Sequence, residues 1–579
     1  MNRRDRAVVA LLVLTLAVLA GVIGMPRRAD LATAGGEQET PDVSAPPPAV
    51  LREGVVGVPE SITPVTARNR AERSLVGLVF SGLVRLGPGN TYQPDLADSW
   101  TSDATGKVWT FTIRPSAVWH DGVPVTADDV VYTVEALQSP DAAGAAAGAW
   151  ADITAEALDP RTVRLTTGTP IGSVLALARQ PLLPAHLLAD IPYADLPTSD
   201  FARLPVGSGP FSLTELDQDH ATLVPAAGIT AAEVDDPTAS DALPTLDSLA
   251  TPWPQPTAGL PRPYLDELDL WFYPNEGALS EALATGEVDV ASGLSAAALS
   301  ELPASAGLDR HVYPTTTLSA VLLNLRPDHK ELRDAKVRTA LLHALDRDTL
   351  VTTVLGGNAT RADALLPPES WAFDKDAAGR VKYDPKAAAK TLEDAGWTKK
   401  SGNWVAPGAK TAYQLEVLSV PASSNPRLAD VADFVREAWT DFGFQVKAVE
   451  RKGMDVAASL RGGEFTAAVV DIAERLEPDL YPLLATSQVQ ATGSNLSGYQ
   501  DPALDPLLEA ARKPGTPEEQ AAAWTALLTA LAEKQPILPL AWNDEIMLAR
   551  GVEGVTPRLI ADTGDRYWDV LAWRLAAGR

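Results

Sequence analysis

Between Lys107 and Arg114 the chain reads KVWTFTIR, in which Trp109, Phe111 and Ile113 alternate with Val108, Thr110, Thr112 and Arg114. A period of two over this length predicts a strand with one face on a core and one face wet. Further on, Val130, Val131, Val134 and Leu137 follow Thr126-Ala127-Asp128-Asp129, a capping box with Asp in place of the usual Glu. A helix is predicted to begin near Ala127. Two later helices carry fuller punctuation. In YDPKAAAKTLEDAGW, Asp384 is placed to cap and Pro385 suits the first helical position. Ala388, Leu392 and Ala395 share a face, and Gly396 supplies a left-handed stop. In RDAKVRTALLHALDRDTL, Asp334 is the cap, and Val337, Leu341, Ala344 and Leu345 form the apolar stripe. Strands interleaved with such helices predict an α/β chain.

A different pattern opens the sequence. Ala7 to Met25 is an uncharged run of 19 residues, with Arg3, Arg4 and Arg6 before it and Pro26, Arg27 and Arg28 after it. As a helix it reaches about 28 Å at ~1.5 Å per residue, close to the hydrocarbon thickness of a bilayer and longer than a cleaved signal core. Residues 1–28 are read as an uncleaved signal anchor on the membrane, with cleavage at Ala32-Thr33-Ala34 as the alternative. The body then lies on the outer face of the cytoplasmic membrane, or is secreted or periplasmic if cleaved. Residues 29–50 hold Gly, Pro and acids with few large apolar groups and read as a disordered tether. Residues 226–262, rich in Ala, Pro, Asp and Thr, read as a surface insertion.

Charge and composition narrow the function. With 75 acids against 48 Lys plus Arg, the net charge is −27, and no basic patch offsets it, so no nucleic acid is expected as a partner. The absence of Cys removes disulfides, iron–sulfur clusters, thiolate nucleophiles and Cys-linked lipid anchors. No nucleophile-elbow, P-loop, dinucleotide or HExxH motif is present. The six His are scattered without metal-ligand spacing. Trp119-His120-Asp121-Gly122 reads as a turn rather than a catalytic site. No enzyme, metal or cofactor is expected; a secreted hydrolase lacks a nucleophile–base spacing.

The succession of segments is more specific. VPES from Val58, FSGLVRL from Phe80, PDLADSW from Pro94 and WHDGVPVTADDVVY from Trp119 come first. VGSGPF from Val206, YLDELDLWFYPNEGAL from Tyr264, GEVDVASGL from Gly286, the two capped helices, NLSGYQDPALDPLLEAA from Asn495 and KQPILPLAW from Lys534 follow. In this order, over nearly all of residues 51–579, they resemble the family 5 extracellular solute-binding proteins of ABC importers, the oligopeptide, dipeptide and nickel binding group. The resemblance implies a two-lobed type II periplasmic-binding-protein fold. Residues 51–268 would form the N-terminal lobe, with an extra subdomain at about 95–200; residues 269–533 the C-terminal lobe; and residues 534–579 a return to the first. It implies a monomer that closes by hinge motion on a solute, most simply an oligopeptide, and delivers it to an ABC permease in the membrane. The alternative is a cell-surface regulatory or scaffold protein that uses the same fold without transport.

The resemblance also points to ligand positions. In peptide-binding relatives a carboxylate follows a strand of the C-terminal lobe, a few residues before a Glu-Pro or Asp-Pro pair, and receives the peptide's α-ammonium. Here Phe465 to Val470 is the matching strand and Glu477-Pro478 the pair. That puts Glu474 at the acid position and Asp471 where relatives often carry Trp. A desolvated ammonium needs a charged acceptor; the other reading makes both residues loop acids, with Arg475 able to pair with either. Asn324 lies in the segment that enters the cleft in relatives, or caps a turn. Ser81 stands where the family often has Glu. Trp371 and Trp397 belong to the lobe that forms one wall, either as stacking surfaces or as core.

Overall fold

The computed structural model describes residues 48–87, 91–143, 150–168, 174–226, 264–303, 307–489, 493–513 and 515–576. The predicted anchor, the tether up to Pro47 and the insertion beyond Ala226 lie outside these described residues. Among the described residues no helix is long and apolar enough to cross a membrane. The last residues of the segment read as a tether belong to the fold. The Ala49 N–H donates to the Asp266 carboxylate at 2.9 Å, and Val50 opens the strand Val50–Val56, in register with Glu267. Leu51, fully buried, draws this end of the chain into the fold.

Eleven strands make one mixed sheet that runs through the whole described body. At its centre two long antiparallel strands, Asp309–Leu323 and Leu538–Ala549, carry the chain between two lobes. Beyond Leu538–Ala549 the order continues with Val290–Ser292, Val50–Val56, Glu267–Tyr273, His220–Pro225 and Phe211–Leu216. Beyond Asp309–Leu323 come Ala467–Ala473, Gln414–Ser419 and Gln445–Glu450. The ladder between the two long strands is interrupted between Pro314 and Leu318. The cores divide at the same place. Tyr313 and Met547 pack with Leu51, Leu268 and Leu270 in the first lobe, whereas Leu318 and Trp542 pack with Val417, Val469 and Trp439 in the second.

The crossover therefore lies beyond the boundary expected at 268 and 269, and the return beyond 533. Glu267–Tyr273 pairs along its whole length with Val50–Val56, and this register commits Leu268 and Leu270 to the first core. A separate sheet of four strands, Ala97–Ser102, Val108–Ile113, Thr162–Thr167 and Ile153–Asp159, builds the extra subdomain. In it Trp109, Phe111 and Ile113 are buried, as their alternation predicts. The helix Ala127–Gln138 starts at the predicted residue, with the Asp129 carboxylate accepting the Thr126 N–H at 2.7 Å.

Two devices fix the first lobe. VGSGPF is glycine-rich because it lies on the end of the helix Arg70–Val79. The Val79 carbonyl accepts N–H groups from Ser208 and Gly209 at 3.0 and 2.8 Å, and a Cβ on Gly207 would stand 1.9 Å from that oxygen. His120 closes the corner, its Nδ1 accepting the Gly207 N–H at 3.3 Å and its Nε2–H donating to the Gly209 carbonyl at 3.0 Å. Trp119-His120-Asp121-Gly122 is a turn, with Gly122 at φ +86°. The second device holds the returning C-terminal segment. Arg566 Nη2 donates to Glu53 Oε1 at 2.6 Å and the Tyr567 hydroxyl donates to Glu53 Oε2 at 2.8 Å, with Glu53 and Arg566 fully buried.

Candidate functional site

The strand Ala467–Ala473 lies inside the sheet, between Asp309–Leu323 and Gln414–Ser419. Its first residues, Ala467, Ala468 and Val469, are buried, which is why the segment reads as a continuous apolar run. Register places Asp471 opposite Ser319 and Ala473 opposite Thr317. Past Ala473 the chain leaves the ladder and forms an arm. The Glu474 N–H donates to the Thr316 carbonyl at 3.0 Å, and the Thr316 hydroxyl donates back to the Glu474 carbonyl at 2.5 Å. Thr316 is also tied to the first lobe, its N–H donating to the Ile560 carbonyl at 3.0 Å. The arm thus springs from the crossover, where both lobes are close at hand.

Along the arm each side chain has a different fate. Glu474 is half-buried, and among the described residues nothing donates a hydrogen bond to its carboxylate. Burial, helped by the neighbouring Asp479 and opposed by Arg475, pushes its carboxyl up to about 8. Arg475 is exposed and faces Asp479, Glu474 and Tyr92. Leu476 is buried against Leu86 and Leu559 of the first lobe. The Glu477 carboxylate accepts from Trp371 Nε1 at 3.3 Å, and Tyr92 of the first lobe lies beside it. Burial outweighs the opposing effects of Trp371 and Tyr92 and raises Glu477 to about 7. Asp479 is held by Arg512 at 2.7 Å. A carboxyl that water still touches, yet that lacks a donor and resists ionisation, is poised to accept a cationic group.

The expected site residues fall into three places. Glu474 and Trp371 come together around the arm, Trp371 being 42% exposed. Asp471 is three residues back on the strand and already engaged. Its Oδ1 accepts from the Ser319 hydroxyl at 2.7 Å and its Oδ2 from Arg427, whose Nη1 also donates to Asn543 Oδ1 at 2.8 Å. Ser81 stands on the first lobe beside Asp95, its N–H donating to Ser208 Oγ at 3.2 Å. Asn324 and Trp397 are in the core of the second lobe, which corrects the cleft-facing reading of both. Asn324 has no exposed surface; its amide donates to the Gly463 and Phe465 carbonyls, each at 2.9 Å, and its Oδ1 accepts from Arg326. Trp397, 3% exposed, packs edge-on against Tyr413 and Phe444 with centroids 5.1 and 5.8 Å away.

Sequence reading passed over Tyr92, Arg427 and the side chain of Glu477. Glu477 had a signal, since it marks the Glu-Pro pair itself; Tyr92 had none, because its partner lies in the other lobe. One group of potential metal ligands also comes together that the scattered His pattern did not announce. Glu215, Asp217 and His220 meet at an exposed hairpin turn, where His220 Nδ1 lies 3.0 Å from Asp217 Oδ2 and the ring stacks on Trp271.

Comparison with known proteins bears on this geometry. The model of the bacterial extracellular solute-binding proteins, family 5 Middle, matches residues 91–492. The oligopeptide-binding protein AppA of Bacillus subtilis is 25% identical over 511 residues, covering 86% of this chain and 88% of its own length. The glutathione-binding protein GsiB of Salmonella typhimurium is 24% identical over 508 residues, covering 86% and 90%. Among solved structures, NikZ of Campylobacter jejuni in complex with Ni(L-His) superposes with a TM-score of 0.68 at 24% identity, covering 91% of this chain and all of that one. AppA of Bacillus subtilis in complex with a nonapeptide gives the same TM-score at 23% identity, with the same coverage. The fold of these structures is two lobes joined by crossing strands, as here.

Proposed function

Because the chain belongs to the bacterial extracellular solute-binding proteins of family 5, whose members bind solutes for ABC importers and are not enzymes, we propose that it captures a peptide between its lobes and passes it to an ABC permease. Capture takes place outside the cytoplasm, with residues 1–28 holding the protein to the outer face of the cytoplasmic membrane. Glu474 receives the peptide's α-ammonium. The observation that carries this reading is the contrast among four neighbouring acids. Asp471, Glu477 and Asp479 are each bonded within the protein, and Glu474 is the acid left without a donor. An arriving ammonium reverses the penalty that keeps Glu474 protonated, because an opposite charge at contact distance favours the carboxylate. The names of AppA, an oligopeptide-binding protein, and GsiB, a glutathione-binding protein, support a ligand with a free amine.

The test is titration calorimetry of the ligand-stripped protein with peptides of graded length, beside the same peptides acetylated at the amino terminus. Free-amine peptides should bind at least tenfold more tightly than their acetylated forms, and Glu474→Ala should remove that preference. Binding near neutral pH should release up to one proton per peptide, visible as a dependence of the measured heat on the ionisation enthalpy of the buffer. Equal binding by wild type and Glu474→Ala would end the assignment of Glu474. A complete lack of peptide binding would end the peptide reading and leave the family membership standing.

A further inference from the structure

The two lobes have separate main cores, and one small apolar cluster draws on both lobes. It consists of Leu86, Leu476 and Leu559, with Tyr92 and Ala561 packed on its edge. Leu86 ends the strand Val84–Leu86, which pairs with Tyr92–Pro94 on the first lobe, and Leu559 belongs to the returning C-terminal segment of the same lobe. Leu476 alone comes from the second lobe. It is 7% exposed, although Glu474 and Glu477 on either side of it keep contact with solvent and Arg475 is exposed. On a projecting arm, a leucine in such company is buried only because the opposite lobe covers it. Beside it, Glu477 accepts from Trp371 Nε1 of its own lobe at 3.3 Å and faces Tyr92 of the opposite lobe. Arg558, on the same segment as Leu559, donates through Nη1 to the Leu86 carbonyl at 2.7 Å, so the receiving surface is itself braced.

We propose that residues Glu474 to Glu477 form a latch that holds the two lobes together before any ligand arrives. Leu476 is the knob seated between Leu86 and Leu559, and Glu477 is the polar clasp between Trp371 and Tyr92. Rotation about the crossover strands that withdraws Leu476 exposes three leucine surfaces to water and parts the Glu477 carboxyl from Tyr92. Both changes oppose opening. Glu474, the ligand acceptor proposed above, sits at the root of the same arm, pinned to Thr316. Leu476 and Glu477 are therefore positioning residues, and lobe closure sets where Glu474 stands. The latch concerns the same cleft as the peptide reading, but it is a property of the empty protein and is read without a ligand.

The chain has no Cys, so a labelled pair can be introduced cleanly. Asp159→Cys on the extra subdomain and Lys400→Cys on the second lobe, both exposed, take nitroxide labels for pulsed electron paramagnetic resonance on the ligand-stripped full chain. Wild type should give one narrow, short-distance population. Leu476→Asp should move most molecules to a longer distance, and Glu477→Ala with Tyr92→Phe should do so in part, while Met454→Asp, at a position 89% exposed, leaves the distance unchanged. Cooperative thermal unfolding of each variant verifies that the lobes themselves are intact. Ligand-free wild type found at the long distance would overturn the latch, as would Leu476→Asp and the Glu477/Tyr92 variant both retaining the short one. A latch that behaves as described in a protein that binds no peptide would refute only the peptide reading.

Discussion

At the scale of one residue, the burial of Glu474 predicts a pH dependence of stability. Its carboxyl is raised from the ordinary 4.5 to about 8 by burial and by Asp479. Below 4.5 the group is protonated in both the folded and the unfolded chain. Between 4.5 and about 8 the unfolded chain has lost the proton that the folded one keeps, so the stability of the empty protein falls as pH rises across that window. Glu477 adds the same sign up to about 7. His120 works the other way: burial lowers it from 6.5, so its neutral, doubly bonded ring loses ground as pH falls. The prediction is that urea unfolding across this window shows a negative slope from Glu474 of at most ~1.4 kcal/mol per pH unit, and that Glu474→Gln removes it. The position of Glu474 was legible from the spacing of a strand and a Glu-Pro pair. Its lack of a donor was not, since that depends on where Arg512, Trp371 and Tyr92 come to lie.

Elements whose signals are local form where the chain announces them. The Asp384 carboxylate accepts N–H bonds from Lys386 and Ala387 at 3.0 and 2.9 Å, the helix runs Pro385–Asp394, and Gly396 takes φ +83°. The helix Ala335–His343 is capped by Asp334 through the Lys336 N–H at 2.9 Å. The corner made by Val206 to Phe211 is a packing device of another kind. Gly207→Ala brings a methyl to 1.9 Å from the Val79 carbonyl oxygen, which belongs to rigid helix backbone. This substitution is expected to cost about 1–3 kcal/mol in thermal unfolding, the usual range for overpacking. Ser208→Ala, which keeps the backbone bonds and loses only the hydroxyl that accepts from the Ser81 N–H, should cost clearly less. The lobe boundary, by contrast, was misplaced from sequence. Glu267–Tyr273 looks like any half-buried strand, and only its partner, Val50–Val56, assigns it to the first lobe.

The whole molecule is held by ties between segments far apart in the chain. The Glu53–Arg566 pair, wholly buried, joins the first strand to the C-terminal return. Arg566→Met leaves Glu53 charged and unpaired in the core and is expected to lose about 3–5 kcal/mol in urea unfolding. The double variant Glu53→Leu with Arg566→Met should lose less than the sum of the two single changes, because no lone charge remains. Loss of the sum would show that the pair acts through each partner's packing and not through their mutual charge.

By itself the amino-acid sequence determined the α/β class, the capped helices, the acidic thiol-free character and the order of segments that marks the family. These rest on periodicity, caps and composition, which act over a turn or two of chain. Tertiary structure decided which acids are available. Asp471 is neutralised by Arg427, Asp479 by Arg512, and Glu477 is shared between Trp371 and Tyr92. Glu474 remains, on an arm whose leucine is buried by the opposite lobe. Charge pairing and burial are set by distance in space, and the fold alone brings residues from both ends of the chain to one crossover.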